Sequence, residues 1–474
     1  MIIEQIYTGC LSHAAYYIES NGEAAVIDPL REFQPYVNRA KSNNAQIKYV
    51  FETHFHADFV SGHIDLARET GAKIIYGPTV MKTGFEITVA ADNQEFKLGG
   101  VTIRLLHTPG HTMESSCYLL IDEDGKEKAL FTGDTLFIGD VGRPDLAQHV
   151  IADLTEEKLA RHLYHSLRNK IMLLADEVIV YPGHGAGSAC GKNLSKETTD
   201  TLGHQKQTNY ALNPDLSEED FIKEVLTGLM PPPAYFPKNV LLNINGYDSI
   251  KNVMERGATE YSSREFEAIK EDTDALILDI RNPAEFINEH IPNSINIGIE
   301  GSFAVWAGTL IQDIKQPILI VDDHHREQEA IARLARVGYD NVVGFLKGGI
   351  TGWKNTGHEI GTLNSISANN FIQKYLDDPT INIIDVRKKS EYLSEHIEGA
   401  VNIPLDYINS NQFVLDITKT YYVHCAGGYR SVIFISILKS RGFTNLINIE
   451  GGFAELKKLN KLNITDYICP TTML

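Results

Sequence analysis

Short runs of β-branched and aromatic residues, each cut off by a polar residue, punctuate the chain up to about residue 195. They are Tyr16-Tyr17-Ile18, Ala25-Val26-Ile27-Asp28, Tyr49-Val50-Phe51-Glu52-Thr53, Lys73-Ile74-Ile75-Tyr76, Val101-Thr102-Ile103, Ala129-Leu130-Phe131 and Val178-Ile179-Val180-Tyr181. Each predicts a strand. Between them the spacing becomes helical: from Glu156 to Leu173, Leu159, Leu163 and Leu167 recur every fourth position and share one face. Strands and helices interleaved in this way predict α/β layers. A further helix opens at Ser217, with Asp220 three residues on as its capping partner. Pro231-Pro232-Pro233 and Pro237 cannot continue a helix and mark the end of a first domain.

Beyond this boundary the pattern repeats. Asp279-Ile280-Arg281, Glu285-Phe286 and His290-Ile291-Pro292 return as Asp385-Val386-Arg387, Glu391-Tyr392 and His396-Ile397-Glu398, each 106 positions on, and Gly348-Gly349 returns as Gly451-Gly452, 103 positions on. Solenoid periods are shorter, about 20 to 50 residues, so the chain carries two copies of one ordinary domain. In each copy a strand ending in Asp-x-Arg and a later strand feeding a helix predict parallel β/α units. A chain of 474 residues has room for about three domains, expected at 1–240, 255–360 and 361–474.

Composition narrows the partners. The 43 basic residues against 62 acidic ones give a net charge of −19, which leaves no basic footprint for nucleic acid or an anionic membrane. Small-molecule substrates are expected, and a homo-oligomer. The start, Met1-Ile2-Ile3-Glu4-Gln5, lacks the basic and apolar stretches of a secretion signal, and no apolar run reaches the length of a membrane span, so a cytoplasmic location is expected. Cys10, Cys117, Cys190, Cys425 and Cys469 are odd in number and without pairing rhythm, which fits reduced thiols, at least one of them reactive.

Four strand-end segments carry histidine or aspartate: Thr53-His54-Phe55-His56-Ala57-Asp58, Thr108-Pro109-Gly110-His111-Thr112, Phe131-Thr132-Gly133-Asp134 and Tyr181-Pro182-Gly183-His184-Gly185. Loops at strand ends are where β-rich scaffolds place metal ligands, and this set in this order resembles the metallo-β-lactamase superfamily over roughly residues 1 to 240. The resemblance implies an αββα sandwich with metal at one edge, and makes His54, His56, Asp58, His111, Asp134 and His184 candidate ligands. The family usually continues the first motif with another histidine. Here Phe59 stands there, and a phenyl ring cannot coordinate, so one metal is expected rather than a binuclear hydrolytic centre.

Within the superfamily, Gly133-Asp134-Thr135-Leu136-Phe137-Ile138, Gly142-Arg143-Pro144-Asp145 and Leu212-Asn213-Pro214 resemble persulfide dioxygenases. That resemblance implies one Fe(II) per chain held by His54, His111 and Asp134, a triad that leaves three faces of an octahedral ion for a persulfide sulfur and O2. His56, Asp58 and His184 then form hydrogen bonds behind the ligands. Arg143 is either an anchor for substrate or half of a salt bridge that fixes its loop. Cys190, shortly after His184, either lies near the metal pocket and reacts with sulfur or is a small packing residue.

Near the other end, Tyr421-Tyr422-Val423-His424 predicts a strand, and Cys425-Ala426-Gly427-Gly428-Tyr429-Arg430-Ser431 a loop feeding a helix from Val432 to Arg441. This region resembles the rhodanese sulfurtransferases over about residues 365 to 460. Cysteine works as thiolate, and a helix N-terminus ringed by backbone N–H groups stabilises both thiolate and persulfide anion. Gly427 and Gly428 let the loop wrap tightly, and Arg430 adds charge or braces it. The earlier copy departs at the critical place. Setting Val321 against Val423 puts Asp323 opposite Cys425 and brings Arg326 two positions early, so a shortened loop that cannot carry sulfur is expected there, in a structural or docking domain.

This order of domains resembles the persulfide dioxygenase–rhodanese fusions of bacterial sulfide detoxification. The resemblance implies that iron and O2 oxidise a low-molecular-weight thiol persulfide to sulfite and thiol, and that Cys425 passes sulfane sulfur to sulfite, giving thiosulfate; the reverse, with thiosulfate as donor, stays open. Two rivals stand beside it: a thioester hydrolase of the glyoxalase II type with two metals and zinc, and a non-catalytic sulfur carrier or sensor.

Overall fold

The computed structural model describes residues 1–146, 154–192, 194–410 and 415–469. By its contacts the chain divides into two compact units, Met1–Ile250 with Ala335–Gly338, and Lys251–Leu334 with Tyr339–Leu474.

In the first unit β1 (Ile2–Thr8), β2 (His13–Ser20), β3 (Glu23–Ile27), β4 (Gln46–Phe51), β5 (Lys73–Tyr76) and β6 (Thr88–Val89) form one sheet in chain order. A second sheet contains β7 (Glu95–Leu98), β8 (Val101–His107), β9 (Ser116–Ile121), β10 (Glu127–Gly133), β11 (Ile179–Pro182) and β12 (Asp200–Thr201), also in chain order. Phe51, Ile75, Tyr118 and Phe131 are among the side chains packed between the two inner faces. Tyr36 and Leu66, from the helices Gln34–Ser42 and His63–Thr70, cover the outside of the first sheet. Leu163 and Leu167, from the helix Glu156–Asn169, cover the outside of the second. Four layers, αββα, result. Both sheets are covered on two faces, which is why β2 and β9 are buried from end to end and read as apolar runs without alternation.

Local signals start the helices where the sequence places them. Thr155 accepts from Lys158 N–H ahead of the acidic turn of Glu156 and Glu157, and Ser217 accepts from Asp220 N–H. The expected boundary at 240 falls inside the helix Phe236–Asn245, whose one proline, Pro237, sits at its start, where a missing N–H costs nothing. That helix belongs to the first unit, because buried Asn243 holds the loop that follows β4.

The second unit contains the repeat. β13 (Glu260–Tyr261), β14 (Leu276–Asp279), β15 (Ile295–Asn296), β16 (Ile318–Val321) and β17 (Val342–Leu346) pair in the order β13-β17-β16-β14-β15. β18 (Asn364–Ile366), β19 (Asn382–Asp385), β20 (Val401–Asn402), β21 (Tyr421–His424) and β22 (Leu446–Ile449) pair in the order β18-β22-β21-β19-β20, and both sheets are wholly parallel. The helix Tyr429–Ser440 is buried at every position from Ser431 to Leu438. One side faces its own sheet; on another, Asn296 N–H of the first copy donates to Ser436 Oγ at 3.0 Å. Among the described residues no helix is long and apolar enough to cross a membrane.

Register corrects the alignment of the two copies. Asp385 lies opposite His424, whereas its counterpart Asp279 lies opposite Val321. Val321 therefore matches His424, and Asp322, not Asp323, stands in the place of Cys425. A Cβ added at Gly349 would meet Asp322 O at 2.5 Å, and one added at Gly452 would meet Cys425 O at the same distance. The helix after the loop starts at Glu327 in one copy and Tyr429 in the other, so the first loop is not two residues short.

Leu163 is fully buried between the second sheet and its covering helix. Leu163→Ala is expected to cost the first unit about 2–5 kcal/mol, read as a lower urea midpoint at unchanged slope.

Candidate metal centre and thiol loop

The four histidine and aspartate segments all leave the C-terminal ends of strands, β4, β8, β10 and β11. The β10–β11 register shifts between Phe131 and Gly133, just before Asp134, a bulge that re-aims the following side chain. Gly133 has φ +48°, and a Cβ there would lie 2.4 Å from Thr53 Oγ1. Only glycine lets the Asp134 loop come this close to the His54 loop.

His54, His111 and Asp134 are buried and bring their ligand atoms within 4.8 Å of one another. Hydrogen bonds fix how the two rings present themselves. His111 Nδ1 donates to Arg143 O at 2.8 Å. His54 Nδ1 lies 3.0 Å from Thr53 Oγ1, whose proton goes to Asp28 Oδ2 at 2.8 Å, so the ring nitrogen is the donor. Each ring is left with a bare Nε2, the form that binds a metal. Burial, and then the neighbouring histidines His56, His111 and His184, push the His54 pKa well below its ordinary value, which keeps the ring neutral. Asp134 is 2 % exposed, and neither oxygen has a nitrogen or oxygen hydrogen-bond donor among the described residues. Its Oδ2 lies 3.5 Å from His111 Nε2 and its Oδ1 lies 3.5 Å from His184 Nε2. A buried carboxylate without a proton donor costs several kcal/mol, and a cation between these acceptors removes that cost. The residues present fit a metal.

His56 faces elsewhere. Its Nε2 lies 3.1 Å from Asp28 Oδ1 and 3.5 Å from Glu52 Oε2. Burial lowers its pKa, but Asp28, Glu52 and Asp58 outweigh burial and raise it to about 9. Glu52 in turn is pushed well up by burial and by Asp28. The Phe59 ring is fully buried, 4.4 Å from the His56 ring and 4.2 Å from that of His13. Asn243 Nδ2 clamps the loop by donating to the carbonyls of His56 and Phe59, each at 2.8 Å.

Asp58 Oδ2 lies 3.4 Å from His184 Nε2, and these two with Cys190 make a second buried group whose ligand atoms lie within 4.8 Å of one another. His184 Nδ1 is bonded to Ser12 O at 3.1 Å. Burial, followed by the charges of Asp58 and Asp134, pushes the Cys190 thiol well above its ordinary pKa. Arg143 spends its guanidinium on Asp145, with two contacts of 2.6 Å, and on the carbonyls of Ala189 and Met230, while its own carbonyl orients His111. A cleft lined mostly by apolar side chains such as Phe55, Met81, Met113, Val240 and Ile244 opens beside His111.

In the second unit Cys425 follows β21 at 1 % exposure, in the loop before the helix Tyr429–Ser440. Gly428 N–H donates to its sulfur at 3.1 Å, and Ser431 Oγ lies 3.7 Å away. Gly428 has φ +104°, a value reserved for glycine. Gly427 has no positive φ, and a Cβ there would meet open space, so the need for glycine rests on Gly428 alone. Arg430 grips Glu391 with contacts of 2.6 and 2.9 Å, which ties the loop to the helix Lys389–Ser394.

The first copy keeps the loop and changes its occupant. Asp322 Oδ2 accepts from Arg326 N–H at 2.7 Å, and His325 takes φ +58°. His324 pairs with Glu285 at 2.8 Å, much as Arg430 pairs with Glu391. Asp323 accepts from Arg281 and from Ile350 N–H, each at 2.9 Å. Sequence reasoning missed His13, Glu52 and Asn243 and assigned Asp28 no role. None of them stands in a motif.

Comparison with known proteins places the chain. Residues 8–184 match the metallo-beta-lactamase superfamily, and residues 262–356 and 369–459 match the rhodanese-like domain. A crystal structure of a metallo-beta-lactamase from Staphylococcus aureus subsp. aureus COL is 32% identical, with a TM-score of 0.64 over 73% of this chain and 98% of that one. The structure of ETHE1 from Myxococcus xanthus is 27% identical, with a TM-score of 0.43 over 51% of this chain and 98% of that one. A hydroxyacylglutathione hydrolase from Rhizobium etli is 34% identical over 34% of this chain, which spans only 57% of that protein. The chain belongs to the metallo-beta-lactamase superfamily, with two rhodanese-like domains following the lactamase-type domain.

Two predictions follow from these centres. His111→Ala and Asp134→Ala each open the ligand set on a loop rather than in the core, so each is expected to lose bound metal while circular dichroism stays native; a full metal complement in either would overturn the assignment. Asp322→Cys puts a thiol in an intact loop beside the Asp323 carboxylate, where the second copy has Ala426. A neighbouring negative charge disfavours thiolate, so this thiol is expected to alkylate more slowly than Cys425 at neutral pH, and faster once Asp323→Ala is added.

Proposed function

We propose that the first unit oxidises a low-molecular-weight thiol persulfide with O2 at a single iron, and that Cys425 carries sulfane sulfur to sulfite. One observation carries the reading: His56 is turned onto Asp28 and Phe59 fills the space beside it, which leaves two histidines and one aspartate facing each other. Such a triad suits mononuclear iron(II) oxygenases. A ferrous ion there supplies the electron transfer that lets O2 react with sulfur.

The chain's own groups do the rest. The line Asp28–Thr53–His54 and the Arg143 carbonyl hold the two rings in their metal-binding tautomers. The apolar cleft beside His111 receives the organic part of the persulfide and limits water. Persulfide, O2 and one water give thiol, sulfite and two protons. At the other centre the Cys425 thiolate attacks the outer sulfur of a persulfide; that S–S bond breaks, and the leaving thiolate takes up a proton. Gly428 N–H stabilises the anionic sulfur. The sulfite lone pair then attacks the outer sulfur on Cys425, and thiosulfate leaves as the Cys425 thiolate is restored.

A second reading, a thioester hydrolase with two metals, draws on Asp58, His184 and Cys190 gathered beside Asp134 and on the hydrolase name of the Rhizobium etli relative. Elemental analysis of protein purified without oxygen separates the two: one iron per chain with persulfide-dependent O2 uptake supports the dioxygenase, and two zinc ions without uptake support the hydrolase. Cys425→Ser is expected to keep O2 uptake and to accumulate sulfite in place of thiosulfate, both measured by chromatography; undiminished thiosulfate would move the carrier role to another cysteine.

A further inference from the structure

The first rhodanese-like copy has an aspartate where a sulfur carrier needs a thiol, yet it meets the catalytic loop of the second copy at one residue. Tyr429 lies between Gly428, which donates to the Cys425 sulfur, and Arg430, which ties the loop down. Its side chain leaves its own domain. Tyr429 Oη donates to Gly298 O of the first copy at 2.7 Å. The ring lies against Gly298 and Gly301 so closely that a Cβ on Gly301 would sit 2.4 Å from Tyr429 Cζ, and one on Gly298 would sit 3.3 Å from Cε2. Two further bonds hold the same face: Asn296 N–H to Ser436 Oγ at 3.0 Å, and Asn409 Nδ2 to Leu310 O at 2.8 Å.

A loop that presents one N–H to a sulfur depends on where its backbone stands, and Gly428 alone does not fix that. With φ +104° and nothing closer to its Cβ position than Gly451 N at 3.8 Å, Gly428 has room to move. Tyr429, the next residue, is the first of the helix. Anchoring its ring anchors the peptide beside the N–H that faces the sulfur. Glycine at 301 has no positive φ to explain it; the space the ring occupies leaves no room for a Cβ.

We propose that the cysteine-less first copy is a brace for the sulfur-transfer site, and that Tyr429, seated on Gly298 and Gly301, is the positioning residue through which it holds the Cys425 loop. The inference rests on the reading of Cys425 as the sulfur carrier. It gives the first copy a task that needs no thiol, and it makes a position 124 residues before Cys425 control that cysteine's chemistry.

The test uses the full chain and reads Cys425 itself: its alkylation rate against pH by peptide mass spectrometry, and thiosulfate formed from persulfide and sulfite. Gly301→Ala and Tyr429→Ala are each expected to slow both by about tenfold and to shift the alkylation profile to higher pH, with persulfide-dependent O2 uptake unchanged. Tyr429→Phe keeps the ring and loses one hydrogen bond, so it is expected to retain most of the rate, a few-fold loss at most. Combining Gly301→Ala with Tyr429→Ala is expected to add nothing, since both remove the same contact. Unchanged alkylation in the two alanine variants, or losses that multiply in the double variant, would overturn the brace. If Cys425→Ser leaves thiosulfate formation intact, the carrier reading fails instead, and the alkylation profile still reports on the brace.

Discussion

The arrangement of the first unit depends on a buried carboxylate that meets no nitrogen or oxygen donor among the described residues. Asp134 stands between His111 Nε2 and His184 Nε2, all three acceptors when the rings are neutral. The nearby nitrogen donors are spent elsewhere: the Nδ1 atoms on Arg143 O and Ser12 O, and Arg143 on Asp145. Two sheets, three covering helices and a glycine bulge frame a group of acceptors that a cation completes. Stability is given up there so that the site is ready when the ion arrives.

His54 and His56 are two residues apart on the same loop, yet their tasks diverge because of what lies behind them. Thr53 and Asp28 turn His54 inward, while Asp28 and Glu52 draw His56 away. Phe59 packs against the rings of His13 and His56. The motif named the candidates because ligands at strand ends are a local pattern. It could not say which way each ring points, because Asp28, on which both rings depend, follows a different strand, β3, and Asn243, which clamps the loop, comes from a helix on the far side of a proline run.

Among the described residues, seven of the twelve strands of the first unit were legible for the same local reason, as runs of β-branched and aromatic residues; β1, β6, β7, β9 and β12 were not, and β9 is built around Leu119 and Leu120, which favour a helix as readily as a strand. The repeat was legible, but the register inside it was not. The spacing between copies is 106 positions at Asp279 and Asp385, and 103 at Gly348 and Gly451. Three residues drop out before the loop, and an alignment anchored on valines slips by one. Hydrogen bonding across the parallel sheet removes the ambiguity, since a strand cannot shift by one without turning its side chains to the other face.

Once the register is set, the two loops differ by the anion they hold. The second copy offers a helix N-terminus and a loop N–H to a thiol, a weak acceptor until it ionises or gains sulfur. The first copy offers the same position to Asp322, a strong acceptor that never leaves, and Asp323 adds a bond to Arg281. On the proposed reading, a carboxylate is the permanent form of the charge that a persulfide brings only during turnover. The first loop thus holds a carboxylate bonded through Oδ2 to Arg326 N–H, and the second a thiol whose sulfur accepts from Gly428 N–H. On the proposed reading, a fixed scaffold beside a loop that binds and releases sulfur is the division of labour expected when a duplicated domain keeps its fold and loses its nucleophile.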